Sequence, residues 1–112
     1  MAILKCRICV SNGNENRMIY SDENEFQHLF SFNEHPSTVM NYSGLKDSQE
    51  NEVYESDILK VDGNLYIAFW EYRHARFVLE HVRSKKIHTN FRELVRKGKV
   101  IGNLAEHHYL VQ

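Results

Sequence analysis

VMNYSGLKDSQENEVYESDIL, residues 39–59, is the stretch that decides the fold of this chain. Its first part is rich in residues that favour a β-strand, and Gly44 interrupts that strand where we expect the backbone to need a positive φ. The polar run 46–51 has the composition of a turn. Strand character resumes on both sides of residues 55–57, which predict a kink or a diverging turn. The stretch contains no recognisable arrangement of catalytic groups.

The segment before this stretch predicts a β-hairpin. Residues 2–10 alternate between two faces, with Cys6 on the inward face and Arg7 on the outward face, as in a half-buried strand. Residues 11–14 have turn chemistry, and residues 17–20 predict the return strand.

A short helix is predicted after this hairpin. Ser21 suits an N-cap, and the acidic residues that follow it are favourable to the helix dipole. Phe26, Leu29 and Phe30 recur at the spacing of an apolar helical stripe, and the helix must end before Pro36. A short strand through Phe30 is the alternative.

The segment after residues 39–59 has the strongest β signal. Asp62-Gly63 predicts a tight hairpin turn between strands 57–61 and 64–72. The second of these strands is apolar on both faces, which predicts burial in a barrel or under a subunit interface. A further turn leads into a third strand. We therefore predict a mainly β protein, built either on a small SH3-like barrel of residues 53–104 or on a strongly bent meander.

The C-terminal part predicts a second short helix and a closing strand. Thr89 or Asn90 caps the helix, and Gly98 is the expected C′ residue that ends it. Residues 99–101 predict the closing strand. Residues 105–112 are expected to form one last turn, packed by Tyr109 and Leu110.

The composition is that of a globular protein. The 112 residues are 42% hydrophobic, enough for a core without metal or disulfide support. We expect one domain over residues 1–112, with a hairpin and helix in 1–38 and a barrel-like core in 39–112. No run approaches the about 20 apolar residues that span a bilayer, and the N-terminus lacks the apolar region of a signal peptide. We therefore expect a cytoplasmic protein with reduced cysteines and no membrane association.

The formal net charge is only −1, but the charges are segregated along the chain. Residues 21–57 hold nine acids and one base, whereas residues 73–99 hold nine bases and two acids. Two solvated faces that fold against one another would explain this pattern. Two alternatives stay open. One is self-association, in which an acidic face near Glu50, Glu52 and Glu55 meets a basic face of a neighbour, and the other is a basic face for nucleic acid.

Six basic residues are candidates for contact with nucleic acid or with a partner protein: Arg73, Arg76, Arg83, Lys85, Lys86 and Arg96. Most of them surround a predicted hairpin that bears Trp70 and Phe77, and interleaved basic and aromatic residues are typical of proteins that bind single strands or RNA. Trp70 and Phe77 suit a core equally well, and the nearly neutral net charge argues against a nucleic-acid domain. Nucleic acid is therefore the less favoured partner.

The reactive residues predict no cofactor and no metal site. Cys6 and Cys9 lack the second ligand pair of a zinc ribbon, and on a strand they face opposite sides, unlike a redox Cys-x-x-Cys at a helix start. The seven histidines are scattered, apart from His107 and His108, whose side chains point in different directions. No phosphate-binding glycine loop or serine elbow occurs. We expect a protein that is not an enzyme.

Three segments resemble the YopX-like proteins of bacteriophages and prophages. The central segment is residues 42–47 followed by 52–58, while residues 5–7 with 17–20 are similar to the family's opening hairpin and residues 100–106 to its closing segment. The signature positions are Tyr42, Gly44, Leu45, Lys46, Asp47, Tyr54, Asp57, Ile58, Ile101, Gly102 and Asn103. The chain departs from the pattern at Ser56, where the family usually has glycine. It also departs at Cys6 and at Cys9-Val10, where an aromatic residue and a Trp-Asp pair are usual.

The resemblance implies a phage accessory protein, β-rich and located in the cytoplasm of the bacterial host, whose biochemical role is not established for the family. Together with the charge pattern, it leads us to expect a protein that acts through protein–protein contacts. The expected partners are further copies of the chain and a host or phage protein. The alternative is a nucleic-acid-binding module that uses residues 73–99.

Overall fold

The computed structural model describes residues 5–13, 15–24, 26 and 39–112. The first antiparallel sheet has the order β2-β1-β3-β4 and consists of β1 (Cys6–Asn12), β2 (Glu15–Tyr20), β3 (Val39–Lys46) and β4 (Glu52–Tyr54). The second has the order β8-β7-β6-β5-β9 and consists of β5 (Asp57–Val61), β6 (Asn64–Glu71), β7 (Arg76–His81), β8 (Ile87–His88) and β9 (Lys99–Asn103). A helix, α1 (Phe91–Lys97), and a 3₁₀ turn (His108–Val111) complete the described elements. The expected mainly β fold is confirmed, with β5 to β8 forming a meander.

The N-terminal hairpin is confirmed, but one of its faces was predicted wrongly. Strands β1 and β2 pair from Arg7↔Tyr20 to Asn12↔Glu15. Ile8 is buried as expected, yet Arg7, which we expected on the outward face, is only 2% exposed. Strand β1 lies between β2 and β3, and its Arg7 side chain finds a partner in the second sheet. Simple alternation cannot reveal such a buried ion pair.

The predicted first helix lies mostly outside the described residues. At its start, the Ser21 hydroxyl accepts a hydrogen bond from the backbone N–H of Cys6 at 3.1 Å, so this side chain ties the chain to β1 instead of capping a helix. Because the described helical residues begin only at Asn24, the expected N-cap role of Ser21 is wrong.

Strand β3 bends at the glycine that the sequence singled out. Gly44 has a φ of +85°, as expected, and the register between β3 and β4 shifts between Tyr42 and Lys46. Past this irregularity Asp47 turns the chain back towards β4. Strand β3 also contacts the helix of the second sheet.

The kink predicted at residues 55–57 joins the two sheets. Ser56 has a φ of +72°, its N–H donates to the carbonyl of Ala68 at 2.7 Å, and its own carbonyl accepts from Leu104 N–H at 2.9 Å. The turn is therefore held by backbone groups, and the Ser56 side chain is tolerated in a conformation that glycine adopts more easily.

Replacing Ser56 by glycine is expected to raise the free energy of unfolding by about 0.5–1 kcal/mol, because the strain of a left-handed non-glycine residue, about 1–2 kcal/mol, exceeds the extra chain entropy that glycine loses. Both backbone hydrogen bonds are retained in the variant. Urea unfolding measures the change. Ser56→Ala is the matched control and should give no gain, since alanine has the same steric problem at positive φ; equal stabilisation by both variants would contradict the argument.

The core of the second sheet lies beneath α1. The hairpin turn at Asp62-Gly63 is confirmed, with positive φ at both residues, and it places Tyr66 and Ala68 of β6 on the inner face. The buried core residues share the space between α1 and strands β4 to β7: Val53, Leu59, Val61, Tyr66, Ala68, Leu79, Phe91 and Val95. The residues on the other face of β6 are half-buried, as expected for a strand that is apolar on both faces.

The ends of α1 differ from the prediction. Asn90 precedes the helix, but its side chain makes no capping hydrogen bond. Gly98 follows the helix with an extended backbone (φ −91°) and not with the positive φ of a C′ glycine. Its role is close packing, because a Cβ there would lie 2.7 Å from the Cγ2 atom of Val61. The expected closing strand is confirmed as β9, which pairs with β5. The expected last turn is confirmed at residues 108–111, where Leu110 is half-buried, but Tyr109 is 66% exposed and does not pack it.

Candidate functional site

The basic residues singled out from the sequence lie in three separate places. Arg73 and Arg76 are at the turn between β6 and β7, whereas Arg83, Lys85 and Lys86 follow the other end of β7. The pairs Glu71↔Arg76 and Tyr66↔His81 are five steps apart along the β6–β7 ladder. At about 3.4 Å a residue, this puts about 17 Å between the two clusters. Arg96 lies apart from both, on α1.

The first of these clusters is partly neutralised. The Arg76 Nε donates to Glu71 at 2.9 Å, and the His74 Nδ1 lies 2.6 Å from the same carboxylate. The hydrogen bond to His74 and the Arg76 guanidinium together lower the pKa of Glu71, so that it stays ionised. Arg76 is therefore bound within its own hairpin.

Arg96 lies at a groove between α1, β3 and β7. The groove has a volume of 760 Å³ and an apolar surface made by Leu45, Phe77 and Phe91. Leu45 and Phe77 are half-buried and pack against the core, while Phe91 is 7% exposed and belongs to it. The volume lies within the range of about 300–1,000 Å³ that is common for binding sites.

The apolar surface of Leu45, Phe77 and Phe91 forms the floor of the groove, and contacts between aromatic rings support it. The Phe77 ring lies 5.2 Å from Trp70 in an edge-to-face arrangement and 5.4 Å from Phe91. Rings at these spacings attract one another beyond simple burial. The sequence suggested either a nucleic-acid contact or a core position for Trp70 and Phe77. The structure packs them against each other, with Phe77 also forming part of the groove.

The cationic side of the groove comes from α1. Arg92 and Arg96 are four residues apart and therefore lie on one face of the helix. Lys97 has a partner in Glu93, at 3.8 Å. Within the described part of the chain, neither Arg92 nor Arg96 has an acidic partner. Two guanidinium groups are thus available beside an apolar surface.

A second concave region, a polar cleft of 490 Å³, surrounds a buried ion pair. Arg7 donates to Asp57 at 2.9 Å and to the carbonyl of Glu55 at 3.0 Å, and its guanidinium carbon lies 4.8 Å from the centre of the Tyr54 ring. The other Asp57 oxygen accepts from the Tyr54 N–H at 2.7 Å. Among the described residues, no hydrogen-bond acceptor lies within reach of the Arg7 Nε. Burial raises the pKa of Asp57 to about 6, and the guanidinium of Arg7 opposes the rise.

Internal contacts occupy the charged groups around this polar cleft. Glu52 bonds to Lys5 and accepts from the Tyr54 hydroxyl at 3.2 Å, and the Lys5 ammonium lies 5.4 Å from the Tyr42 ring centre. The hydrogen bond from Lys5 lowers the pKa of Glu52. These contacts lie within the first sheet and at its edge, the Arg7–Asp57 pair joins the two sheets, and together they leave few groups for a ligand. The polar cleft is therefore a structural junction, and the groove is the better candidate site.

Most signature residues hold turns and strand ends together. Asp47 is 5% exposed, and its two oxygens accept from the backbone N–H groups of Gln49, Asn51 and Val100. Asn103 accepts from Glu106 N–H at 2.8 Å, next to Gly102, where a Cβ would lie 2.8 Å from the His107 ring. Where the chain changes direction, backbone hydrogen bonds between strands are interrupted, and these side chains supply hydrogen bonds in their place.

The other signature residues also have structural contacts. Ile58 is fully buried, and Ile101 in β9 is half-buried. The Tyr42 and Tyr54 rings lie 5.3 Å apart, while Lys46 is exposed at the end of β3. Leu45 is the exception, because it also lines the groove.

The cysteines and histidines do not form a site in the described residues. Cys6 and Cys9 are free and half-buried, and burial raises the pKa of both thiols, which keeps them protonated at neutral pH. No group of three or more potential ligands that could hold a metal ion occurs in the part of the chain that the structure describes. His28 and His35 lie outside that part.

The YopX protein family model matches residues 5–112, which include both sheets and the groove. The chain belongs to the YopX family. No curated protein matches it. The resemblance seen in the three sequence segments is thus confirmed over nearly the whole chain. Among the described residues of this YopX-family chain, no helix is long and apolar enough to cross a membrane.

For this member of the YopX family, three groove residues stood out in the sequence: Arg96 by its charge, Phe77 as an aromatic residue among basic ones, and Leu45 only as part of the signature. The sequence reasoning missed Arg92, which lies one helical turn from Arg96 on the same face. The spacing of these two arginines was visible in the sequence, but the apolar surface beside them was not. That surface combines residues of β3, β7 and α1, which are far apart along the chain.

Proposed function

We propose that this YopX-family chain is a phage-encoded accessory protein that acts in the bacterial cytoplasm by binding another protein, and that it catalyses no reaction. The observation that carries the proposal is the groove beside α1. Its rigid floor of Leu45, Phe77 and Phe91 adjoins two arginines without acidic partners. A preformed apolar surface with a few well-placed polar groups is typical of binding sites.

The polar cleft supports a binding role over a catalytic one. A general acid or base needs a free group in reach of a substrate, with a pKa suited to its task. Although the pKa of Asp57 is raised, its carboxylate is 2% exposed and is bonded to Arg7 and to the Tyr54 N–H. Glu52 is bonded to Lys5. Arg7, Asp57 and Glu52, three charged groups of the polar cleft, thus have structural partners.

Nucleic-acid binding through residues 73–99 is the alternative. A binding face for a polyanion needs a continuous track of cations along the backbone. The basic clusters at the two ends of β7 are well separated, and Arg76 is paired with Glu71. This arrangement favours a protein partner over a nucleic acid.

Self-association is a further proposal that follows from the segregated charges. The acidic side of such a contact loses part of its charge to internal bonds, because Glu52 bonds to Lys5 and Glu55 accepts from the Asn41 N–H at 3.0 Å. These internal bonds support our proposal of a host or phage protein as the occupant of the groove, and self-association stays a separate proposal.

Affinity capture from infected host cells tests the proposed function. The bait is the full chain, compared with Arg92→Glu/Arg96→Glu at the groove and with Arg83→Glu/Lys86→Glu, a matched control with the same change of charge elsewhere. We expect captured proteins to survive nuclease treatment, to fall by roughly tenfold or more with the groove variant, and to be retained by the control, since burial and charge pairing at the groove supply the affinity.

The opposite pattern would contradict the proposal. If the captured proteins disappear on nuclease treatment, and the Arg83→Glu/Lys86→Glu variant loses them while the groove variant does not, the chain acts through nucleic acid. Binding of oligonucleotides by the purified chain at physiological salt would support that alternative.

A further inference from the structure

The groove has chemical features that restrict what can fill it. Its apolar floor is preformed, because Phe77 packs between Trp70 and Phe91 at 5.2 and 5.4 Å. A partner therefore needs apolar side chains for this floor, and little binding energy is lost in ordering it. Leu45 and Phe77 retain exposed surface that such side chains would cover.

The two arginines add a requirement for negative charge. Side chains four residues apart on a helix have Cβ atoms about 5–6 Å from one another, and each guanidinium can bind a carboxylate through two parallel hydrogen bonds. Lys97 is engaged with Glu93 at 3.8 Å. Glu93 and Lys97 also line the groove and offset each other's charge, so the net charge beside the floor is that of Arg92 and Arg96, which two carboxylates at a matching spacing would satisfy.

The size of the groove limits the length of the occupant. Helix α1 has seven residues, and at 1.5 Å per residue the wall that it offers is about 10 Å long. About two turns of helix, or three to four residues of extended chain, would cover that length. A short segment is enough, and a whole-domain interface is not required.

The exposed hydrophobic residues of the described part of the chain do not meet these requirements. The exposed large hydrophobic residues among those described are Val39, Tyr72, Ile87 and Tyr109. Ile87 and Tyr109 have Lys86 and His108 as chain neighbours, and the acid before Tyr72, Glu71, is bonded to Arg76. In the described part of the chain, no exposed hydrophobic residue has two free carboxylates next to it in the sequence.

We infer that the groove binds a short amphipathic segment of another protein, in which aromatic or large aliphatic residues cover Leu45 and Phe77 and two carboxylates pair with Arg92 and Arg96. This inference rests on the proposed function and names the chemistry of the partner. The segment is acidic, and its acids lie on the same side as its apolar anchors, as in other segments that dock into grooves.

Selection from a library of random displayed peptides tests this inference. The full chain is the target at physiological salt, and the Arg92→Glu/Arg96→Glu variant is used to remove peptides that bind elsewhere. We expect enriched peptides to combine aromatic or large aliphatic residues with at least two acids within about five positions, which is the spacing set by the two arginines. The best peptide should bind the groove variant at least roughly tenfold more weakly, and the Arg83→Glu/Lys86→Glu control nearly as well as the unmodified chain.

A charge-swapped peptide provides the second measurement. When its two acids are replaced by lysines, the peptide should lose affinity for the unmodified chain and regain affinity for Arg92→Glu/Arg96→Glu. Leu45→Asp should abolish binding of both peptides, with folding checked by circular dichroism. Rescue by the swapped pair distinguishes direct pairing from an unfolded variant.

Four results would overturn the inference: enriched peptides without acids, peptides that bind the groove variant equally well, a selection without binders, or displacement of the peptide by an oligonucleotide at physiological salt. A dimer in light scattering that Arg92→Glu/Arg96→Glu abolishes would show that a second copy is the occupant, which also overturns it. The proposed function would survive any failure of the peptide test if nuclease-resistant capture still depended on the groove.

Discussion

Replacement of Arg7 by methionine is expected to lower the free energy of unfolding at neutral pH by about 3–5 kcal/mol, the usual cost of removing one partner from a buried ion pair. Arg7 and Asp57 are 2.9 Å apart, and both are 2% exposed. Without the guanidinium, the Tyr54 N–H would be the one donor left to the Asp57 carboxylate among the described residues. The variant would also lose the bond to the Glu55 carbonyl and the contact with the Tyr54 ring.

The loss should shrink as the pH falls. Burial already raises the pKa of Asp57 from its ordinary value of 3.8 to about 6, and removal of Arg7 takes away the opposing charge and raises it further. A folded state with a raised pKa holds its proton more tightly than the unfolded chain does. The stability that Asp57 contributes is then complete below its pKa in the unfolded chain. It is lost as the pH rises through its pKa in the folded state. Arg7→Met should therefore be least damaging in mild acid.

Urea unfolding at about pH 4.5, 6 and 7.5 measures this effect, because these values bracket the titration. The control is Arg7→Met/Asp57→Leu, in which both charges are gone. Relative to the unmodified chain, this double variant should show no additional loss of stability between about pH 6 and about pH 7.5. Its total loss should be smaller than the sum of the losses measured for Arg7→Met and Asp57→Leu separately. A loss for Arg7→Met that is the same at all three pH values would contradict the prediction.

Replacement of Asp47 by alanine is expected to cost about 3–4 kcal/mol, because hydrogen bonds to a charged group contribute about 1.5–3 kcal/mol each and are not fully additive. The carboxylate accepts from Gln49 N–H at 2.8 Å, Asn51 N–H at 2.9 Å and Val100 N–H at 2.8 Å. It also accepts from the side-chain amide of Asn51. The turn before β4 and its connection to β9 would both weaken.

The pH dependence of Asp47 has the opposite sign to that of Asp57. Burial by itself would raise the pKa of Asp47, but the backbone hydrogen bonds from Val100, Asn51 and Gln49 outweigh it and lower the pKa. Its contribution to stability is therefore present above its ordinary value of 3.8 and is lost as the pH falls through the lower, folded value. Asp47→Ala should accordingly be most damaging near neutral pH and least damaging in strong acid.

Chemical unfolding and amide hydrogen exchange measure the effect of Asp47→Ala. We expect faster exchange at Val100 N–H in particular, since this amide loses its acceptor. Gln49→Ala is the matched control in the same turn, because Gln49 is exposed and only its backbone bonds to Asp47. Equal losses in the two variants would show that the turn depends on general packing and not on the carboxylate.

Local structure was determined by the sequence itself. Asp62-Gly63 specified a hairpin turn, Gly44 specified a positive φ, and residues 55–57 specified a change of direction, all of which the structure bears out. These features depend on the conformational preferences of neighbouring residues, so a short window of sequence contains the information. The family signature also followed from the sequence, and the match to residues 5–112 confirms it.

Only the tertiary structure decided the position of Arg7 and the site at α1. Arg7 is buried because Asp57, fifty residues away in the chain, offers a carboxylate in the same place. Neither charge could be buried without the other, and alternation along one strand contains no information about the second. The groove likewise combines residues of β3, β7 and α1, while the basic residues that looked like one cluster in the sequence separate along β7. Such arrangements depend on how distant segments pack, because the free energy of burying a charge or exposing an apolar surface is set by its neighbours in space.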